Sequence, residues 1–213
     1  MLKFSKTVYT LIAFLLLSIG ISIQIKAGIG QSVFNAFCMC FSDLLDIKIG
    51  SIINFFNILF FIIYIFTKSS KINFNDFFQL LATIINGYLI NIFTYNIFNH
   101  IIIQSYYLKV LIFLAGVFIS SISLGFILSL EIIKFPLEAL CINLSESFNS
   151  SLAKIRMKFD ILFIIVTLIL TISLNHTLYI REGTIMSFFL LSRLLGYSYS
   201  FSKNIYKGDR NYV

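Results

Sequence analysis

Long apolar runs separated by short polar breaks set the plan of this chain. The first run, Val8 to Ile23, follows Lys3 and Lys6, and its charged start and length fit either a signal peptide or a first membrane span. No clear small-x-small cleavage site follows, so a retained span is expected. Lys26-Ala27-Gly28-Ile29-Gly30 then interrupts the apolar pattern. From Gln31 to Ile47 the pattern is mixed, with Gln31, Ser32, Asn35, Ser42, Asp43 and Asp46 among Phe, Cys, Met and Leu. Such a segment is too polar for a lipid-facing span and belongs in the interface or buried against protein.

Five further apolar runs read as spans. The second span covers Ile49 to Phe66, the third about Phe74 to Phe93, the fourth roughly Leu108 to Leu130, the fifth Ile161 to about Leu174, and the sixth Ile185 to about Tyr199. In the third, Asp76, Gln79, Thr83 and Asn86 fall at steps of three and four on one helical face. A polar stripe on a spanning helix points inward, toward a cavity or toward hydrogen bonds with other helices. The fourth carries Ala115, Gly116, Ser120, Ser121, Ser123 and Gly125, small residues suited to close helix packing.

A second mixed stretch, Pro136 to Asp160, holds the only proline in the chain. It also repeats an earlier one. With an offset of 103 residues, Val33 to Asn57 lies over it, so Ala36 meets Ala139, Cys38 meets Cys141, Ser42 meets Ser145 and Phe56 meets Phe159. The match continues where Ile58, Leu59, Phe60 and Ile62 meet Ile161, Leu162, Phe163 and Ile165. Ile, Leu and Phe are common here, so Ala, Cys and Ser in fixed register carry the weight. A duplicated three-span unit is expected, residues 1–98 and 99–213 within one membrane domain.

Composition agrees with a membrane protein: 59% hydrophobic residues, 12% charged, 25 Phe and a mean hydropathy of +0.95. A soluble core of 213 residues does not bury that much apolar surface. The net charge of +7 sits between the apolar runs, where it acts on topology, and no nucleic-acid-binding pattern is present. Six spans place Lys3, Lys6, Lys68, Lys71, Lys134, Lys154, Arg156, Lys158, Lys203, Lys207 and Arg210 on one side. Lys26, Lys48, Lys109 and Arg181 fall on the other, so both termini are expected in the cytoplasm. An odd number of spans per unit makes the two repeats inverted, with 28–47 on the outer side and 131–153 on the inner side, each an amphipathic or re-entrant segment.

The charges near membrane boundaries are the candidate chemistry. Glu131, Glu138, Asp160 and Glu182 gather in the second repeat with Lys134, Arg156, Lys158 and Arg193. Asp160 aligns with Asn57, and Glu138 with Asn35, so polar groups recur at matched depth. Asp160 reads either as an ion-pair partner of Arg156 at i−4 or of Arg193, or as a substrate or proton site. Glu138, just behind Pro136, reads as a helix N-terminal acid. Arg193 reads as a snorkelling cation or as a counter-ion for one of the carboxylates. Asn35, Asn57, Asn86, Glu138, Asp160 and Glu182 are the candidate solute-binding residues, with Arg156 and Arg193 as charge partners. Cys38, Cys40 and Cys141 read as buried hydrophobes, and no cofactor or metal is expected. His100 and His176 have no serine or cysteine nucleophile beside them, and no phosphate-binding loop is present, so no enzyme is expected.

Ile25-Lys26-Ala27-Gly28-Ile29-Gly30-Gln31-Ser32-Val33-Phe34-Asn35-Ala36 resembles the A-x-x-G-x-x-P-W-(D/N) run of the YczE/YitT-like family of bacterial membrane proteins. Pro136-Leu137-Glu138, Ile155-Arg156-Met157-Lys158-Phe159-Asp160 and Glu182-Gly183-Thr184 resemble that family's later motifs in the same order. Val33 and Phe34 stand where the family has Pro and Trp, and Arg181 stands where a Gly is common. The resemblance implies a fold and a location in the bacterial cytoplasmic membrane.

From the residues, the expected protein is an all-α polytopic membrane protein with about six transmembrane helices, acting as a secondary transporter or permease for a small solute. The rivals are a non-transporting scaffold for a biosynthetic or regulatory complex and an intramembrane enzyme. The expected partners are the lipid bilayer and an unidentified solute, and the pattern allows a homo-oligomer.

Overall fold

The computed structural model describes residues 2–68, 74–130, 134–174 and 177–208. Among these the chain is helical, with no strand. The helices are α1 (Leu2–Ala27), α2 (Val33–Leu45), α3 (Ile49–Thr67), α4 (Phe74–Asn91), α5 (Tyr106–Ser129), α6 (Pro136–Ser147), α7 (Leu152–Leu174) and α8 (Glu182–Gly208). Val8–Ala27, Ile49–Thr67, Asp76–Ile97, Tyr106–Ser129 and Lys154–Leu174 are each long and apolar enough to cross a membrane. The chain is therefore an all-α, multi-pass membrane protein. The sixth expected span falls inside α8, which is not among those five. Glu131 and His176 lie outside the described residues.

Two boundaries differ from the hydropathy reading. The fifth span was expected from Ile161, whereas α7 begins at Leu152. Lys154, Arg156 and Lys158 interrupt the apolar run without interrupting the helix, because Lys and Arg are good helix formers. The third span continues past Asn91 as a π-helical segment, Ile92–Ile97. Thr94 in that segment is buried and donates to Ser22 Oγ of α1 at 3.0 Å, and Ser22 in turn donates to the Ile90 carbonyl at 3.3 Å. The wider turn thus comes with cross-helix hydrogen bonds within the bilayer.

The two mixed segments become short helices. α2 has 13 residues and α6 has 12, so each is about 18–20 Å long, well below the roughly 30 Å of hydrocarbon. Their N-terminal halves are buried, at Val33, Asn35, Ala36, Phe37 and Cys38 in α2 and at Pro136, Leu137, Ala139, Leu140 and Cys141 in α6. Their C-terminal ends, at Asp43, Leu45, Glu146 and Ser147, are exposed. Each therefore runs from the protein interior out to the surface.

Local geometry recurs at the same offset as the residues. Ala36 N–H donates to the Ser32 carbonyl at 2.8 Å, and Ala139 N–H to that of Phe135 at 2.9 Å. Ile47 N–H donates to Ser42 and Ser150 N–H to Ser145, at 3.0 and 2.9 Å. The only two non-glycine residues with positive φ among those described are Asp46 (51°) and Asn149 (47°), which end the two short helices in the left-handed region. All three pairs of positions are 103 residues apart.

Packing crosses between the halves. α2 lies on α7 and α6 lies on α3, while α1 and α5 form the broadest helix pair. At that pair a Cβ on Gly20 would stand 2.8 Å from the Ser120 nitrogen, so only glycine permits the approach. In the centre, Phe34 and Phe37 of α2 meet Phe56 and Phe60 of α3 and Phe163 of α7, with ring centroids 4.7–6.0 Å apart in the contacting pairs. Leu137, Leu140 and Cys141 of α6 complete that apolar core.

Candidate functional site

The phenylalanine core separates two polar regions. The first is built by α6 and α7. Arg156 Nη1 donates to Glu138 Oε1 at 2.7 Å, and Arg156 Nε donates to Asp160 Oδ1 at 3.3 Å. One guanidinium therefore links the buried half of α6 to its own helix, four residues on. The three side chains are 33%, 31% and 16% exposed, so the cluster is desolvated on one side and reachable on the other. Pro136 at the first helical position sets Glu138 in the first turn, where an acid interacts favourably with the helix dipole. Across α6 from this cluster, Asn143 Nδ2 donates to Thr67 Oγ1 at 3.2 Å. Beside that contact Lys68 Nζ pairs with Asp76 Oδ2 at 2.6 Å, and Tyr64 OH donates to Asp76 Oδ1 at 3.1 Å, so the α3–α4 corner is tied to α6.

The second region lies where the loop 28–32 meets residues 177–184. Gly28 and Gly30 take φ of +66° and +119°, values that L side chains rarely adopt. A Cβ on Gly30 would also stand 2.9 Å from Thr184 N and 3.0 Å from its Oγ1, so the loop lies flat against the start of α8. Gly183 N–H donates to the Ile29 carbonyl at 2.8 Å, Gln31 N–H donates to Thr184 Oγ1 at 3.3 Å, and Arg181 Nη1 donates to the Gly28 carbonyl at 3.0 Å. These contacts border an open pocket of about 110 Å³ lined by Ile25, Gln31, Met39, Leu178, Tyr179 and Arg181 among others. Glu182 accepts from Arg181 at 3.1 Å and from Tyr106 OH at 3.2 Å. Its own backbone N–H at the start of α8, with help from Arg181, holds its carboxyl below the ordinary range. That contribution is present at neutral pH and fades in acid, as pH falls through the lowered value.

The structure brings Glu138, Asp160 and Arg156 together and puts Glu182 at the other region. Asn35 and Asn57 are buried on α2 and α3, with no hydrogen-bond partner among the described residues. Asn86 is buried against α1, where its Oδ1 accepts from Ser18 at 2.9 Å. Arg193 is exposed on α8 and forms no ion pair among the described residues. The six expected solute-binding residues are thus distributed between two sites and three buried positions on α2, α3 and α4. Gln31, Tyr179 and Arg181 were not singled out as site residues. The partners that Gln31 and Arg181 find across the site, Thr184 and Gly28, lie 153 positions away, and only the positive charge of Arg181 distinguished any of the three in the sequence.

Among the described residues no group of His, Cys, Asp and Glu is arranged to hold a metal ion. The three cysteines are buried and unbridged. In comparison with known proteins, the model of a family of unknown function (DUF6198) matches residues 4–199 of the chain. No curated protein and no solved structure matches it.

Proposed function

We propose a transport function for this chain, which belongs to the family of unknown function DUF6198. The observation that carries the reading is the pair of short helices, α2 and α6. Each begins inside the protein, ends at the surface and packs on a long helix of the opposite half. Half-helices of this kind, with their positive ends turned inward, form solute sites in secondary transporters built from inverted repeats. The 103-residue offset in sequence, hydrogen bonding and left-handed C-termini supports two copies of one unit. In this reading the halves 1–98 and 99–213 are inverted. The phenylalanine core is the closed barrier between an outer vestibule at Gln31 and an inner one at Glu138, Arg156 and Asp160. The charge count supports a cytoplasmic position for both termini. The order of the short motifs supports kinship with YczE/YitT-like proteins. The function is transport without catalysis.

The test is solute counterflow in proteoliposomes across a panel of small organic acids, amines and sugars. Asp160→Asn and Glu138→Gln are expected to lose at least about tenfold in flux while keeping a monodisperse fold, since uncoupling a charge pair at a transport site acts on the conformational equilibrium. Unchanged flux in both variants, together with loss of a co-purifying partner, would favour the scaffold reading instead.

A further inference from the structure

We propose that the uncovered side of α7 binds an anionic phospholipid, its phosphate held between Lys154 and Lys158 and its tails laid along Ile161, Ile165 and Ile169. This surface is separate from the transport reading and does not depend on it.

Lys154 and Lys158 are four residues apart on α7, so their side chains leave one helical face about 6 Å from each other. Both are exposed, and neither forms an ion pair among the described residues. Arg156 and Asp160 lie on the other side of the helix, where Arg156 takes up both Asp160 and Glu138. Two cations without a paired acid thus stand at the end of a membrane span that begins at Lys154. Beyond them the same face continues through Ile161, Ile165, Ile169 and Ile172, which are 48–77% exposed. Ammonium groups at a membrane boundary are matched by lipid phosphate and an apolar ladder by lipid tails, so one amphipathic molecule satisfies both.

The repeat shows why no helix takes this place. In the first half α4 closes the corresponding side of α3: Asn91 Nδ2 donates to Ser51 Oγ at 3.1 Å, and Asn54 Nδ2 donates to the Ile84 carbonyl at 3.0 Å. The 103-residue offset lays Lys154 over Ser51, Met157 over Asn54 and Lys158 over Phe55. Where α3 has a short hydroxyl and an amide that grip a neighbouring helix, α7 has longer side chains that no helix covers. Met157 is 51% exposed, and among the described residues α7 packs on α2 and α6 alone. The lysines are therefore additions to the shared unit and serve none of its packing. A second copy of the chain fits this face poorly, because a twofold axis along the membrane normal would set the lysines against their own counterparts.

The chain contains no tryptophan, so a single introduced one reports locally. Full-length Ile161→Trp is reconstituted in phosphatidylcholine nanodiscs assembled with rising mole fractions of tail-brominated phosphatidylglycerol or, in parallel, tail-brominated phosphatidylcholine. The anionic lipid should quench the fluorescence at about tenfold lower mole fraction. Combining Lys154→Gln with Lys158→Gln should abolish that difference, and salt at about 0.5 M should reduce it. Ile58→Trp, at the mate position on α3, should show no preference, and millimolar inorganic phosphate should leave the quenching unchanged. Ile165→Trp, one turn deeper, gives the same reading where Ile161→Trp does not yield a monodisperse protein. Equal quenching by the two lipids would overturn the site. So would a preference kept without the lysines, the same preference at Ile58→Trp, or relief of quenching by free phosphate.

Discussion

Arg156 serves two carboxylates with one guanidinium, so its removal is expected to do more harm than removal of either acid. Arg156→Leu leaves Glu138 and Asp160 close together without a counter-charge. With side chains up to a third exposed, about 1–3 kcal/mol is expected, below the full cost of breaking a buried pair. Asp160→Asn should cost about 1 kcal/mol or less. Thermal unfolding in one detergent ranks the two, and an Asp160→Asn loss equal to that of Arg156→Leu would sink the bridging role. Glycines offer a second contrast. A Cβ on Gly50 would run into the Gly87 carbonyl of α4, so Gly50→Ala is expected to cost about 1–3 kcal/mol by forcing α3 and α4 apart. At Gly28 a Cβ meets no atom within 4 Å but the backbone is left-handed, so Gly28→Ala should cost only about 1 kcal/mol. At this scale the Arg156–Asp160 pair was legible as one alternative, because an i,i+4 spacing offers a partner, whereas the second bond of Arg156, to Glu138 18 residues away, was not. Gln31 was not legible. A glutamine among polar neighbours carries no mark until the fold shows that its amide is sealed in without partners.

At the scale of elements, the core between α2, α3 and α7 makes a sharper demand than hydropathy does. Phe163 meets Phe34, Phe37, Phe60 and Phe159 and is 3% exposed. Phe163→Ala should cost about 3–5 kcal/mol, whereas Phe66→Ala, at an outward-facing ring, should stay within about 0.5 kcal/mol. Chemical denaturation in mixed micelles reads both, and a similar loss for the two would mean that the core is loosely packed. The two short helices were readable as segments too polar to face lipid, and their limits follow from Pro136 and from the Gly28 to Gly30 break. Their crossed docking, α2 on α7 and α6 on α3, was not readable, because an apolar stripe does not say which apolar stripe it meets. The start of α7 was hidden for a related reason: Lys154, Arg156 and Lys158 end a hydropathy window but continue a helix.

For the whole molecule, the proposed inversion predicts that the exposed ends of α2 and α6 lie on opposite sides of the membrane. Cys38, Cys40 and Cys141 are buried, so background labelling by a membrane-impermeant maleimide should be low. Ile47→Cys, at an exposed site after α2, should label in intact cells, and Phe148→Cys, after α6, only once the membrane is opened. Labelling of both from one side would remove the inversion. α3 and α7, which the 103-residue offset lays over one another, also differ in one respect. α3 closes on α4 through Gly50, Gly87, Asn54 and Asn91, but among the described residues α7 makes no such contact with α8. Only 17% of the apolar window of α7 is covered by protein, against 33% for α3. The uncovered face of α7 is expected to pack against acyl chains, which would make the bilayer a building material for residues 152–174 as well as their solvent. Lipid chain length and order then become determinants of how this segment holds together. Hydrogen exchange along residues 161–174 should rise ahead of residues 52–66 when long-chain lipid is replaced by short-chain detergent, and equal protection of the two would show that α7 finds its cover elsewhere.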